Sequence, residues 1–114
     1  MKNYKFALLL FIGLLVTNCT TTVIPLTEEP VTTITYDTYV KTIIDTHCIS
    51  CHASGGVANF LPLVTYDEVR NSAENGTLIP RMNDAASPMP QSGLLPAETR
   101  AIIDKWRTDG FLEN

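Results

Sequence analysis

The chain has 114 residues, the length of a single domain. It carries 8 basic and 12 acidic residues, a formal net charge of −4, which argues against nucleic acid as a partner. Its three cysteines are an odd number, so a fold held together only by disulfides is disfavoured.

The chain begins with the pattern of an export signal. Lys2 and Lys5 provide positive charge, and the apolar run that follows is too short to span a bilayer as a helix. The residues before Cys19 resemble a bacterial lipoprotein cleavage box. We therefore predict a lipoprotein signal peptide over residues 1–18, with lipid on Cys19. The alternative is an ordinary secretory signal that is cut nearby and leaves Cys19 as a spare thiol.

Residues 19–34 are rich in Thr and contain Pro25 and Pro30, so we predict a flexible linker between the lipid and a domain over residues 35–114. A strand over residues 31–36 is the alternative, although no second alternating segment is present to pair with it. Without the signal the chain has 6 basic and 12 acidic residues, a formal charge of −6. We expect a membrane-anchored protein of the periplasm or cell surface, and a partner with a basic face.

The central motif is Cys48-Ile49-Ser50-Cys51-His52. Two cysteines separated by two residues and followed by histidine are the attachment pattern of a c-type haem. The cysteines lie about one helical turn apart, so both sulfurs can reach the vinyl groups of one porphyrin, and His52 can be the proximal iron ligand. We predict one covalently attached haem c, which together with lipid on Cys19 uses every cysteine.

Two other interpretations of Cys48 and Cys51 are weaker. A helix capped by Asp37, with apolar residues at helical spacing, leads into Cys48. The cysteines therefore lie at a helix C-terminus, where the dipole opposes the thiolate that a redox thiol pair needs. A zinc site needs four ligands, and the chain has no second pair at usable spacing.

The segment after the motif begins with a turn over residues 53–56 and continues as an apolar loop over residues 59–63. The carbonyl of Pro62 could accept a hydrogen bond from the second ring nitrogen of His52 and fix its tautomer. The alternative is that Pro62 only ends an extended segment.

Two helical segments are predicted next. Thr65 and Glu68 form a capping box at the start of one helix, and Asn75-Gly76 is a strong end signal. A short helical turn follows over residues 77–82, with its length limited by an internal proline.

The last helix is predicted from near Pro96 to Asp109-Gly110, after a loop over residues 83–93. Trp106 lies on its apolar face and is expected to pack against the first helix. All predicted elements of the domain are helices.

Met89 lies between Pro88 and Pro90, which stiffen the loop around it. Its thioether is the candidate distal iron ligand, because thioether ligation raises the haem potential. Met89 could instead only fill space. Of two rival ligands, Met82 is expected in the core, and His47 is tied to the proximal side by its neighbour Cys48.

These features together resemble class I cytochrome c in its small monohaem form, including the lipoprotein cytochrome domains of some bacteria. The resemblance rests on the Cys48–His52 motif, on Met89-Pro90 and on the closing helix with Trp106. It implies an all-α cytochrome c-like fold of three to four helices wrapped on one haem. It also implies His52 as the proximal ligand and Met89 as the distal ligand.

The function expected from this set is one-electron transfer by a carrier that is not an enzyme. With both axial positions filled, iron has no open site for a substrate. The alternative is a gas- or redox-sensing haem module with a displaceable sixth ligand, although no output domain is visible. A dihaem peroxidase is disfavoured because only one attachment motif is present.

Overall fold

The computed structural model describes residues 32–114, which form helices joined by loops. No strand occurs in this range, so the described part of the chain is all-α, as predicted. The predicted signal over residues 1–18, the predicted lipid site Cys19 and nearly all of the predicted linker lie outside the described residues. Between residues 32 and 114, no helix combines the length and apolarity needed to cross a membrane.

The first helical segment starts with a π-helical turn, Tyr36–Val40, and continues as α1, Lys41–His47. Its cap is Thr35, whose hydroxyl accepts a hydrogen bond from the amide of Thr38 at 3.4 Å. The prediction that Asp37 caps this helix is therefore wrong. Asp37 lies inside the first turn, where a negative charge favours the exposed amides of a helix N-terminus.

The cysteine motif continues directly from this segment. Cys48 follows the last residue of α1, and α2, Ile49–His52, completes the motif. Cys48 therefore lies at the C-terminal end of α1, as the sequence predicts, and it is also the N-cap of α2, which contains Cys51.

The predicted capping box is confirmed at the start of α3, Tyr66–Glu74. The hydroxyl of Thr65 accepts a hydrogen bond from the amide of Glu68 at 3.3 Å. The carboxylate of Glu68 in return accepts one from the amide of Thr65 at 2.9 Å. The helix ends at Glu74, with Asn75 as its C-cap, next to the end signal that the sequence predicts.

Two further helices flank the loop that carries Met89. The short helix α4, Leu78–Asn83, contains Pro80 in its first turn, where a missing amide donor is tolerated. The last helix, α5, Ala97–Thr108, begins directly after Pro96. It is followed by Asp109 and by Gly110 at φ +90°, a conformation that favours glycine.

Trp106 is fully buried and anchors the core. Its ring lies 6.0 Å from that of Tyr36, 6.4 Å from that of Tyr66 and 4.9 Å from that of Phe111, measured between centroids. Its indole N–H donates to the carbonyl of Leu112 at 2.8 Å, so its polar atom is satisfied. The predicted packing of Trp106 on the first helical segment is thus confirmed.

The two ends of the described chain are joined by hydrogen bonds. A carboxylate oxygen of Asp109 accepts the amide of Ile34 at 2.7 Å, and the ammonium of Lys105 lies 2.8 Å from the same carboxylate. The Ile34 amide and then Lys105 hold the pKa of Asp109 below its ordinary value of 3.8. Ile34, the last residue of the predicted linker, is itself buried.

Replacing Asp109 with Asn should lower the thermal midpoint at neutral pH, because the charged acceptor for Ile34 and Lys105 is lost. A lowered folded pKa means that the carboxylate stabilises the fold above pH 3.8 and loses this effect as pH falls below that value. The midpoint difference between wild type and Asp109→Asn should therefore shrink in acid.

Thermal melts followed by circular dichroism across this pH range test the expectation. Asp104→Asn is the matched control, because Asp104 pairs with Arg107 at 3.7 Å on the exposed side of the same helix. Equal midpoints for the two variants at neutral pH would contradict the role of Asp109.

Candidate functional site

A cavity of about 380 Å³ brings four of the predicted site residues together: Cys48, Cys51, His52 and Met89. Its volume falls in the range of roughly 300–1,000 Å³ typical of small-molecule and cofactor sites. Side chains from α1 to α4 and from the loops after α2 and α4 line it.

The two cysteines differ in their surroundings. Cys48 is half-buried, whereas Cys51 is exposed. Burial raises the pKa of the Cys48 thiol to about 11, so this thiol stays protonated at neutral pH. The surroundings of Cys48 therefore disfavour the redox-thiol alternative, which requires a stabilised thiolate.

Cys48, Cys51 and His52 are also the candidate ligands of the zinc alternative. In the part of the chain that the structure describes, no three His, Cys, Asp or Glu side chains form a group suited to holding a metal ion. Cys48, Cys51 and His52 line one cavity but do not form such a group.

The imidazole of His52 is held by the loop that follows it. Its Nδ1 lies 2.8 Å from the carbonyl oxygen of Leu61. Because a carbonyl only accepts, Nδ1 carries the proton in this contact, and Nε2 of the neutral ring keeps a free lone pair. The amide of Leu63 also donates to the carbonyl of His52 at 2.9 Å, so the same segment holds both the ring and the main chain.

The prediction that Pro62 supplies this carbonyl is wrong by one residue, because the acceptor is Leu61. The carbonyl of Leu61 and the amide of Leu63, on either side of Pro62, are the main-chain groups that bond to His52.

A tight turn packs the following loop onto the cysteine motif. The amide of Ala58 donates to the carbonyl of Cys51 at 2.9 Å. A Cβ atom at Gly56 would lie 2.2 Å from that same oxygen, so only glycine fits there. The turn predicted over residues 53–56 therefore requires glycine at its last position.

Met89 is half-buried in the loop between α4 and α5. Its amide donates to the carbonyl of Arg81 at 3.0 Å, and the peptide bond to Pro90 is cis. Met82 also lines the cavity and is a core residue, as predicted. His47 is exposed and contributes to the cavity lining next to Cys48.

Arg81 is a cavity residue that sequence reasoning missed. It is the one Lys, Arg, Asp or Glu side chain among the described residues lining the cavity. Its Nε is buried and has no hydrogen-bond partner within residues 32–114. A signal was present in the sequence, because Leu78, Arg81 and Met82 follow the i, i+3, i+4 spacing of one helix face.

Apolar side chains from the loop after α2 complete the wall. Val57 is 89% exposed and Phe60 is 83% exposed, although both line the cavity. An apolar group that covers such side chains removes their surface from water, which lowers the free energy of the protein. On the other side, the wall is formed by Leu63, Leu78 and Met82, which are buried in the core.

These residues fit the chemical groups of a c-type haem. Cys48 and Cys51 can form thioether bonds, and His52 and Met89 can provide nitrogen and sulfur ligands. Apolar walls suit a porphyrin, and the guanidinium of Arg81, the charged group of the described lining, can pair with a propionate carboxylate. A comparison with known proteins finds no matching family model, no matching curated protein and no matching solved structure.

Proposed function

We propose that this protein is a monohaem c-type cytochrome that transfers single electrons and is not an enzyme. The observation that best supports this is the juxtaposition of Cys48, Cys51, His52 and Met89 around one cavity. When bound, the haem supplies one-electron chemistry between its ferric and ferrous states. The proposal includes the finer fold assignment, a cytochrome c-like arrangement of helices around this group.

Each cavity residue has a distinct role in the proposal. Cys48 and Cys51 attach the porphyrin through sulfur. His52 provides Nε2 as proximal ligand, since its Nδ1 is engaged by Leu61. Met89 provides the distal thioether, and Arg81 binds a propionate. If His52 and Met89 both bound the iron, no coordination position would remain for a substrate.

The proposal extends to location and partners. Lipid on Cys19 would hold the domain at a membrane, on its periplasmic or cell-surface side. The chain carries 12 acidic and 8 basic residues, so a redox protein with a basic docking face is the proposed partner. Such encounters are brief and use small interfaces.

A haem-based gas or redox sensor is the second candidate. The observation in its favour is that Met89 is only half-buried, in a loop between helices. A sensor needs Met89 to leave the iron readily, whereas a carrier needs it to stay. Carbon monoxide binding to the reduced protein therefore distinguishes the two functions.

Covalent haem is the first test. The exported protein should stain for haem on a denaturing gel, and the double variant Cys48→Ala/Cys51→Ala should lose the stain. Cys19→Ser is the matched control and should keep its haem, because Cys19 belongs to the predicted lipid site. Absence of covalent haem in the wild type would overturn the proposal in favour of free thiols.

Replacing Met89 with Ala should remove the distal ligand. The variant should bind carbon monoxide rapidly when reduced, whereas the wild type should resist it. Its reduction potential should fall on the order of 100 mV, within the range of about 0.8 V over which axial ligands act.

The matched control for this variant is Met82→Leu, which keeps the volume of the other cavity methionine. It should retain the wild-type spectrum and potential. A loss of sulfur ligation in Met82→Leu, with none in Met89→Ala, would assign the ligand to Met82. Rapid carbon monoxide binding by the wild type would favour the sensor.

Replacing Arg81 with Gln should lower the reduction potential. A cation at the cavity disfavours the additional positive charge of ferric iron, so its removal stabilises the ferric form. The shift should be on the order of tens of millivolts. Voltammetry measures it, with Arg107→Gln as control because Arg107 is an exposed arginine outside the cavity lining. Equal potentials for both variants would remove Arg81 from the propionate site.

A further inference from the structure

The loop that carries Met89 connects α4 to α5, and one side chain holds both of its ends. Arg100, in the first turns of α5, donates from Nη1 to the side-chain oxygen of Asn83 at 2.7 Å. The same guanidinium donates from Nε to the carbonyl of Leu95 at 3.0 Å. Asn83 is the last residue of α4, and Leu95 precedes α5, so the two acceptors flank residues 84–94.

Other hydrogen bonds orient both Asn83 and Arg100. The amide nitrogen of Asn83 donates to the carbonyl of Ile79 at 3.1 Å, which directs its oxygen to Arg100. The main-chain amide of Arg100 donates to the carbonyl of Pro96 at 3.1 Å. The contact is therefore a defined bridge between two helix ends.

The middle of the loop is held independently of these ends. The amide of Met89 donates to the carbonyl of Arg81 at 3.0 Å, and the amide of Gly93 donates to that of Pro90 at 3.1 Å. With Arg100 at the ends and Arg81 in the middle, the loop is held at three places by protein groups alone.

We infer that Arg100 is a positioning residue that keeps Met89 at the cavity and so protects the distal side of the haem from external ligands. This inference rests on the proposed function. A planar guanidinium can bridge two acceptors from one side chain, which an ammonium cannot do with the same geometry. Losing the bridge removes the side-chain link between the two ends of the loop and makes departure of the thioether more favourable.

The effect is measurable as competition for the iron. An external ligand such as imidazole binds only when Met89 has left the iron. Its apparent affinity therefore reports the fraction of molecules in which Met89 is not bound to the iron. Hydrogen bonds from a charged donor contribute more to stability than hydrogen bonds between neutral groups. In Arg100→Ala, the imidazole dissociation constant of the ferric protein should fall about tenfold, equivalent to about 1.4 kcal/mol.

The experiment uses the full-length, haem-loaded protein. Imidazole titrations give the dissociation constant, and the near-infrared absorption of sulfur-ligated ferric haem reports Met89 directly. Arg107→Ala is the matched control, since it removes the same side chain from an exposed position of α5 and should match the wild type. Arg100→Lys should give an intermediate affinity.

Asn83→Ala provides a second route, because it removes one of the two contacts without changing Arg100. Its effect should be smaller than that of Arg100→Ala and should not add to it in the double variant, since both remove the same hydrogen bond. If Arg100→Ala fails to fold, Asn83→Ala alone decides the question.

Imidazole affinities in Arg100→Ala and Asn83→Ala that equal the control would overturn the inference. That result would leave the proposed function intact, provided that haem is covalently attached and Met89→Ala still loses sulfur ligation. A wild-type protein without covalent haem would instead overturn the proposed function, and this inference with it.

Discussion

The arrangement of the site depends on the way one short segment holds His52. Leu61 accepts a hydrogen bond from the ring, and Leu63 donates one to the main chain of the same residue. Both contacts use main-chain atoms of the segment, and the side chain of Leu63 is buried in the core. The imidazole is therefore set relative to Cys48 and Cys51 by the backbone, and the close approach of Gly56 to Cys51 allows the loop to return that far.

The cavity and the core share a wall. Leu63, Leu78 and Met82 are buried in the core and also line the cavity, whereas Trp106 is buried in an aromatic cluster with Tyr36, Tyr66 and Phe111. A domain of this size buries a modest fraction of its surface, so a large apolar cofactor would extend its core considerably. Under the proposed function, haem binding and folding would be coupled for this reason.

Much of the local structure could be predicted from the sequence because its signals are short-range. The capping box of Thr65 and Glu68, the helix end at Asn75 and the stop at Asp109-Gly110 each depend on residues a few positions apart. The first helix shows the limit of such signals. Asp37 is a good cap by residue type, but the helix begins at Tyr36, whose ring lies 6.0 Å from that of Trp106, and Thr35 is the cap.

The parts that could not be predicted depend on contacts distant in sequence or on exact backbone direction. Arg100 meets Asn83 across the whole Met89 loop, and no local pattern marks this pair. The acceptor for His52 is Leu61 and not Pro62, because the direction of each carbonyl depends on the exact path of the backbone. Arg81 was missed for a different reason, since its helical spacing with Leu78 and Met82 was visible in the sequence.

The first and last segments of the described chain lie side by side and are joined by hydrogen bonds. Tyr36 and Asp37 donate their amides to the carbonyls of Leu112 and Glu113 at 2.9 and 3.0 Å, next to the bond between Ile34 and Asp109. A pulling force applied at the N-terminal end of the described chain would act first on these hydrogen bonds. The C-terminal segment would therefore bear part of that force before it reached α1. The neighbouring ends also make the domain suitable for circular permutation, with a short peptide joining them and new termini opened in a surface loop.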